Sequence, residues 1–123
     1  NLGRLYVLTG EEADAPSGIL PDEILAVYAY ILGDDPTYSV IYDGAWLNDK
    51  PYGTLHRLVS SGKKSGVAAM IFEWALEKCD NLRADTHADN HVMQGVMENF
   101  GFKMCGIIHL ANGDPRIAYH ITK

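Results

Sequence analysis

Residues 55–69 read LHRLVSSGKKSGVAA, and this stretch decides the fold. Residues 54–59 alternate in character and predict a strand, and small and basic residues then form a loop. From Gly66 the apolar residues recur at helical spacing, so the loop is expected to open a helix. The first turn of a helix has unpaired N–H groups and a partial positive charge, and Lys63 and Lys64 stand beside it. The stretch therefore predicts a site for an anion.

The rest of the chain places further strands on both sides of this unit. Strands are predicted at residues 4–9, 24–32, 37–42, 82–86, 102–110 and 116–121. A second helix is predicted to start at Asp89 or Asn90 and to end at Gly101, with Val92, Met93, Val96 and Phe100 on its buried face. This order predicts a mixed α/β sheet in a single domain, residues 1–123.

The composition indicates a folded, acidic domain. The chain has 123 residues, of which 47% are hydrophobic and 21% charged, and its formal net charge is −6. That charge argues against non-specific binding to nucleic acid, which requires Lys and Arg to neutralise phosphates. No apolar run approaches the ~18 residues of a membrane span, and no signal peptide opens the chain. We therefore expect a cytoplasmic protein with no nucleic-acid partner and no membrane association.

Two blocks of the sequence resemble the GNAT superfamily of N-acetyltransferases. The loop KKSGVA at residues 63–68 is similar to the family's pyrophosphate loop, Q/R-x-x-G-x-G/A, with Lys in the first position and Ala in the last. Residues 82–102 (LRADTHADNHVMQGVMENFGF) resemble the second family block, a strand followed by a helix that starts at Asn90 and ends in Gly-Phe. The resemblance extends over residues 24–121 and includes the final strand and hairpin.

The resemblance implies a fold, a co-substrate and a set of binding residues. The fold would be a GNAT-like, mostly antiparallel sheet with a central splayed pair of parallel strands and flanking helices. The reaction would transfer acetyl from acetyl-CoA to a small amine or peptide amine by direct attack in a ternary complex. A homodimer is compatible with it. The implied CoA contacts are Leu58, Val59 and Ser60 for the pantetheine arm, Lys63, Lys64, Ser65, Gly66, Val67 and Ala68 for the pyrophosphate, and Asn90 on the pantetheine side.

The chain departs from the family pattern in two ways. Met97 occupies the position, seven residues after Asn90, where the family often has a Tyr that protonates the thiolate. The strand and helices that the family places before the first strand look missing or reduced, and Asn1 is not a translation start. Because the helices shape the acceptor pocket in the family, the acceptor cannot be named from these residues. A second hypothesis is therefore a non-catalytic acyl-CoA-binding module.

The candidate catalytic residue is His56, on the strand that leads to the loop. A His side chain can accept a proton near neutral pH, although a hydrogen-bonded structural role is the alternative. Strand alternation is expected to place Arg57 on the opposite face, so that only one of the two faces the cleft. Asp34 and Asp35 follow the long apolar strand and are expected to attract a cationic acceptor.

Two further groups of residues have competing interpretations. His87, Asp89 and His91 form an H-x-D-x-H string that invites a metal site, and a metal hydrolase is the third functional hypothesis. The string spans a strand end and a helix start without further ligands, so we predict no metal. Six aromatic residues either pack in the core or line an acceptor pocket: Tyr28, Tyr30, Tyr38, Tyr42, Trp46 and Tyr52.

Overall fold

The computed structural model describes residues 4–123, with the backbone only at Ala15. Residues 1–3 of the predicted domain, and with them Asn1, lie outside the described part. The strands are β1 (Arg4–Thr9), β2 (Ile24–Leu32), β3 (Gly53–Ser60), β4 (Asn81–Thr86), β5 (Lys103–His109) and β6 (Pro115–Thr122). The α-helices are α1 (Val67–Lys78) and α2 (His91–Phe100), and short 3₁₀ helices span Glu12–Ser17 and Pro36–Tyr38.

The six strands form one sheet in the order β1-β2-β3-β4-β6-β5. The pair β3–β4 is parallel, and the other neighbouring strands are antiparallel. The parallel pairing runs from Gly53 opposite Leu82 to Leu55 opposite Ala84 and extends no further. Beyond Leu55 and Ala84 the two strands diverge. The predicted mixed sheet with a central splayed parallel pair is confirmed.

Helix α1 covers one face of the sheet and forms the main core with it. The predicted apolar face comprises Val67, Met70, Ile71, Trp74 and Ala75. The prediction is wrong at Met70, which is 39% exposed, whereas Val67, Ile71 and Ala75 are buried. They pack in one cluster with residues of the central strands, including Leu55 and Leu82. Burial of each such side chain is worth roughly 1.5–3 kcal/mol, so this apolar face fixes the helix on the sheet.

Helix α2 is bounded by a capping residue at each end. The Asn90 side chain accepts a hydrogen bond from the Met93 N–H, and Gly101, with a φ of 124°, ends the helix. The predicted buried face is wrong at Val92, which is 78% exposed, whereas Met97 is only 1% exposed. The buried stripe runs through Met93 and Met97, one turn apart, and Val92 lies beside it toward solvent.

The predicted strand at residues 37–42 is wrong. Pro36–Tyr38 is a 3₁₀ turn, and Tyr42 forms only an isolated bridge with Ile107. The Asp35 carboxylate caps the turn by accepting the Thr37 N–H at 3.0 Å, and Pro36 supplies a φ suited to the first turn. Tyr38 then points inward, so burial of its ring overrides the strand pattern.

Residues 36–52 cover the other face of the sheet and form a second, smaller core there. Tyr38 and Tyr52 pack in it with Ile108 and Ala118. The guanidinium of Arg83 lies between the rings of Trp46, at 4.2 Å, and Tyr52, at 3.9 Å. Arg83 also donates a hydrogen bond to the Asn48 carbonyl at 2.8 Å. This buried cation therefore holds the irregular segment against β4.

Candidate active site

A β-bulge in β3 lies at the point where the parallel strands diverge. Val59 pairs with Val27 and His56 with Ala29, so that Arg57 and Leu58 together oppose Tyr28. Arg57 has a φ of 55°, in the left-handed region that a side chain rarely adopts. A bulge leaves one residue out of the ladder and changes the direction of its neighbours.

This bulge corrects the prediction that His56 and Arg57 face opposite sides. Both residues line the same cavity. Side chains alternate strictly between the two faces only in a regular strand. The extra residue of the bulge changes the face toward which its neighbours point. Both side chains are therefore available to one site.

A narrow cavity of about 180 Å³ occupies the space between the diverging strands on the α1 side of the sheet. The predicted binding residues Leu58 and Asn90 both line it. Met97, from α2, and Phe72, from α1, line it as well, and each is only 1% exposed. The position at which the family resemblance expected a Tyr thus reaches this cavity, but as a thioether that cannot donate a proton.

A larger cavity of about 550 Å³ is lined by residues of the opposite face of the sheet. Its walls include His56 and Asp85 from the diverging strands, Asp35 from the loop after β2, and Arg116 from β6. Arg57 and Asp85 line both cavities, so the two meet at the divergence of β3 and β4. The two cavities are therefore neighbours at this point of the sheet.

His56 and Asp35 form a close pair in the larger cavity. The His56 Nε2 lies 2.8 Å from the Asp35 Oδ2, and the Thr37 hydroxyl donates to the other carboxylate oxygen at 2.8 Å. Burial tends to raise the pKa of Asp35, but the hydrogen bonds from Thr37 and His56 outweigh it and hold that pKa below its usual value. Asp35 is therefore ionised at neutral pH and accepts the His56 Nε2–H, which leaves Nδ1 as the nitrogen that can take a proton.

Asp85 is held by a tyrosine from the segment that covers its face. The Tyr38 hydroxyl donates to the Asp85 Oδ2 at 2.6 Å. Burial, together with the Asp85 charge, raises the pKa of Tyr38 well above its usual value, so the hydroxyl stays protonated and remains a donor. Sequence reasoning missed Asp85. Its available signal was a carboxylate inside the otherwise buried strand NLRADT.

The predicted phosphate loop has an accessible backbone at the start of α1, but its two lysines are held in ion pairs. Gly66 precedes α1 with a φ of 75°, and a Cβ placed there would meet no atom within 4 Å. Lys63 is ion-paired with Glu23 at 2.5 Å, and Lys64 with Asp14 at 2.8 Å. The loop is thus open to an anion, which must compete with two carboxylates for the lysines.

The other predicted CoA-binding residues divide into two groups. Ser65 is exposed in the loop, whereas Val67 is buried and Ala68 packs against the core. Val59 is 66% exposed, and the Ser60 hydroxyl accepts the Gly62 N–H at 3.2 Å. These two side chains border a shallow cavity at the start of β2 rather than the narrow cavity.

The acidic and aromatic candidates are only partly brought together. Asp35 lines the larger cavity, and both Asp34 and Asp35 line a separate cavity of about 380 Å³ beside Arg83. Of the aromatic set, Tyr28 and Tyr30 belong to the main core, Tyr38, Tyr52 and Trp46 to the second core, and Tyr42 is exposed. Packing therefore accounts for most of that set.

The histidine string, residues 87–91, lies in an exposed turn and the start of α2. His87 is exposed, and its Nδ1 accepts the Asp89 N–H at 3.0 Å. Within residues 4–123, no cluster of three or more His, Cys, Asp or Glu side chains has an arrangement suited to a metal ion. In the same part of the chain, no helix has the length and apolar character needed to cross a membrane.

Comparison with known proteins shows where this geometry recurs. No family model and no curated protein matches the chain. Among solved structures it is similar to a GNAT-family acetyltransferase from Streptococcus agalactiae 2603, with 32% identity and a TM-score of 0.74 over 83% of this chain. The chain belongs to the GNAT superfamily. It spans 61% of the length of the streptococcal protein.

More distant GNAT structures share the fold of this GNAT domain alone. A GNAT-family acetyltransferase from Listeria monocytogenes 4b F2365 is 15% identical, with a TM-score of 0.64 over 99% of this chain and 66% of its own. An acetyltransferase from Bacillus subtilis, solved in complex with CoA, is 13% identical, with a TM-score of 0.63 over 99% of this chain and 78% of its own. The fold of this domain thus recurs in acetyltransferases of low sequence identity.

Proposed function

We propose that this GNAT domain is an N-acetyltransferase that transfers acetyl from acetyl-CoA to an amine by direct attack. The observation that carries the proposal is the junction of the two cavities at Arg57 and Asp85. A thioester in the narrow cavity and an amine in the larger one would meet there without a covalent enzyme intermediate. The CoA-bound Bacillus subtilis structure supports CoA as the ligand of such a fold.

In this proposal the co-substrate lies along β3 and ends at α1. The pantetheine arm extends through the narrow cavity past Leu58 and Asn90 and pairs with the backbone of residues 58–60. The pyrophosphate binds at residues 63–68, where N–H groups at the start of α1 are without helical partners. Open space around Gly66 supports this, because a phosphate can approach the backbone closely.

The proposed chemistry requires one base and one stabilised oxyanion. The acceptor ammonium loses a proton to His56 Nδ1, directly or through water, and its nitrogen attacks the thioester carbonyl. The C–N bond forms and the C–S bond breaks, the surplus proton of the nitrogen passes to water, and the thiolate leaves. A backbone N–H released from the ladder by the bulge can stabilise the oxyanion. A thiol of pKa near ~8.5 leaves as an anion at little cost, so no general acid is required.

A second candidate function is a CoA-binding module without turnover. The observation that favours it is Met97, a non-donor on the wall of the narrow cavity. Both functions predict CoA binding, so affinity alone does not separate them. The proposal as an enzyme also includes a cytoplasmic location, because that is where acetyl-CoA is available to such a domain.

The experiment that separates the two measures thiol release from acetyl-CoA with and without a panel of amines. Release that depends on the amine, with N-acetyl product identified by mass spectrometry, supports the enzyme. Calorimetric binding of CoA without amine-dependent release from any member of the panel contradicts the enzyme and favours the module. Absence of CoA binding contradicts both.

A further inference from the structure

Three polar side chains from neighbouring strands line the larger cavity. The sheet order β3-β4-β6 brings His56, Asp85 and Arg116 side by side, and all three line that cavity. Asp85 pairs with Ala118, so that Arg116, two residues away on β6, is its diagonal neighbour on the same face. Diagonal neighbours in a sheet have Cα atoms about 7–8 Å apart.

The two arginines of this cavity form no ion pair with its carboxylates. Asp35 pairs with His56, and Asp85 accepts the Tyr38 hydroxyl. None of the ion pairs between described residues involves Arg57 or Arg116. The recorded hydrogen bond of the Arg116 guanidinium goes to the carbonyl of Pro115, its own neighbour. Arg57 also lines the narrow cavity at the junction, so Arg116 is the cation that lies away from the junction and has no carboxylate partner among the described residues.

The positions of these charged side chains relative to the narrow cavity determine the orientation of a bound ligand. Asp85 lines both cavities, whereas Arg116 lines only the larger one. A group that must meet the thioester belongs at the junction, beside Asp85 and His56. A second group of the same molecule then lies toward Arg116, whose planar fork matches a carboxylate in two hydrogen bonds.

We infer that the acceptor is a zwitterion, a small amine that carries a carboxylate a few bonds from its ammonium group. This inference rests on the proposed acetyl transfer and names its substrate class. The ammonium lies between Asp85 and His56, and the carboxylate binds Arg116. A doubly charged phosphate fits less well, because Asp35 and Asp85 place two carboxylates on the same cavity wall.

The test measures binding of unreacted acceptors, so that it does not depend on turnover. Calorimetry with CoA present compares β-alanine, 4-aminobutyrate and L-leucine, each beside its primary amide and the monoamine of the same chain. We expect at least one amino acid to bind about tenfold more tightly than its amide, the scale of one charge-assisted contact. Acetyl transfer is measured on the same panel.

Substitutions of Arg116 test whether the preference for a carboxylate arises at this residue. We expect Arg116→Gln to weaken binding of the amino acid about tenfold and to leave its amide unchanged, and Arg116→Lys to retain part of the preference. Arg4→Gln, on the edge strand β1, is the matched control and should change neither. Melting temperatures of all variants check that they are folded.

The outcomes separate this inference from the proposed function. Amides or monoamines that bind as well as every amino acid overturn the zwitterion, even where acetyl transfer is observed. So does an Arg116→Gln variant that keeps the preference. A carboxylate preference that depends on Arg116, without acetyl transfer, supports the zwitterion site and contradicts the enzyme.

Discussion

At the scale of single residues, the pair His56–Asp35 carries the proposed proton transfer. Asp35 lies in the loop after β2, 21 residues before His56, and the two meet because β2 and β3 are antiparallel neighbours. The carboxylate receives hydrogen bonds from Thr37 as well, so its position is fixed independently of His56. We therefore assign His56 the base and Asp35 the role of positioning it.

The first prediction concerns this pair. We expect His56→Gln to lower kcat/KM by roughly 100-fold, the usual scale for a positioned base, with CoA affinity nearly unchanged. Asp35→Asn should cost about tenfold, because the ring is then no longer held by a charge-assisted bond. Steady-state kinetics and CoA calorimetry on both variants are the measurements.

A double-mutant cycle distinguishes positioning from a merely structural effect. If Asp35 acts through His56, Asp35→Asn should cost nothing further in the His56→Gln enzyme. Additive losses would contradict the assigned role of Asp35, and full activity of His56→Gln would contradict the base.

The second prediction concerns Met97 and the leaving thiolate. Because a thiolate leaves without assistance near neutral pH, we expect Met97→Tyr to show the same kcat as Met97→Phe within about twofold. The Phe variant is the control for ring bulk in the narrow cavity. A Tyr variant clearly faster than the Phe variant would mean that proton donation limits the rate.

At the scale of elements, the loop and the first turn of α1 form the proposed pyrophosphate site. Gly66 has a positive φ, and no atom lies within 4 Å of a Cβ placed there. The same two features occur at Gly113, in the hairpin between β5 and β6, with a φ of 91°. These two glycines have comparable backbone constraints, but only Gly66 lies at the proposed site.

The third prediction uses this pair of glycines. Gly66→Glu should weaken CoA binding by ~100-fold or more, because like charges a few Å apart near a protein surface repel by several kcal/mol. Gly113→Glu introduces similar backbone strain and the same charge outside the loop, on the hairpin between β5 and β6, and it should leave CoA affinity unchanged. Calorimetry that finds equal CoA affinity in the two variants would remove residues 63–68 from the site.

The fourth prediction concerns the acidic residues that hold the loop lysines. Lys63 and Lys64, by donating hydrogen bonds, hold the pKa values of Glu23 and Asp14 below their usual values, so both carboxylates are charged at neutral pH. They compete with the pyrophosphate for the lysines. We expect Asp14→Asn combined with Glu23→Gln to raise CoA affinity severalfold at low salt, with a smaller gain at high salt. An unchanged or lower affinity at low salt would show that the lysines do not contact the co-substrate.

At the scale of the whole molecule, His120 joins the irregular segment to the sheet. It is fully buried, its Nδ1 accepts the Leu47 N–H at 3.1 Å, and its Nε2–H donates to the Asn81 side chain. Burial, with a smaller contribution from the Arg83 charge, lowers the pKa of His120 to about 4. The folded protein therefore keeps this imidazole neutral, because protonating Nδ1 would break its bond to Leu47.

The fifth prediction is a loss of stability in mild acid. Below about pH 6.5 the unfolded chain takes up a proton on His120, while the folded chain does not until about pH 4. The free energy of unfolding should therefore fall as the pH falls through this window, by roughly 3 kcal/mol at most. Urea unfolding at a series of pH values measures it.

His120→Gln is the control for that prediction. It lacks the titrating group, so its free energy of unfolding should vary less between pH 6.5 and 4.5. The contribution of Asp35, whose unfolded pKa is 3.8, is lost mainly below this window, and that of Glu23, whose unfolded pKa is 4.5, begins to be lost within it, but both carboxylates are present in the two proteins alike. Equal slopes in the two proteins within this window would contradict the role of His120.

The sequence by itself determined the features that depend on near neighbours in the chain. The strand, loop and helix of residues 54–78 follow from a change of apolar period, and the ends of α2 follow from Asn90 and Gly101. These signals can be recognised in the sequence because a cap or a turn provides hydrogen-bond partners for backbone groups only three or four residues away. The two blocks in which these signals occur also carry the resemblance to GNAT proteins, which the comparison with solved structures confirmed.

Only the tertiary structure decided the site. The bulge that turns Arg57 into the cavity exists because β2 pairs with β3 on both sides of it, and Tyr38 reaches Asp85 across 47 residues of chain. The predicted strand at residues 37–42 failed for the same reason, since burying Tyr38 against the sheet outweighs a local alternation. Burial energy and side-chain pairing act between distant segments, so no local pattern contains them.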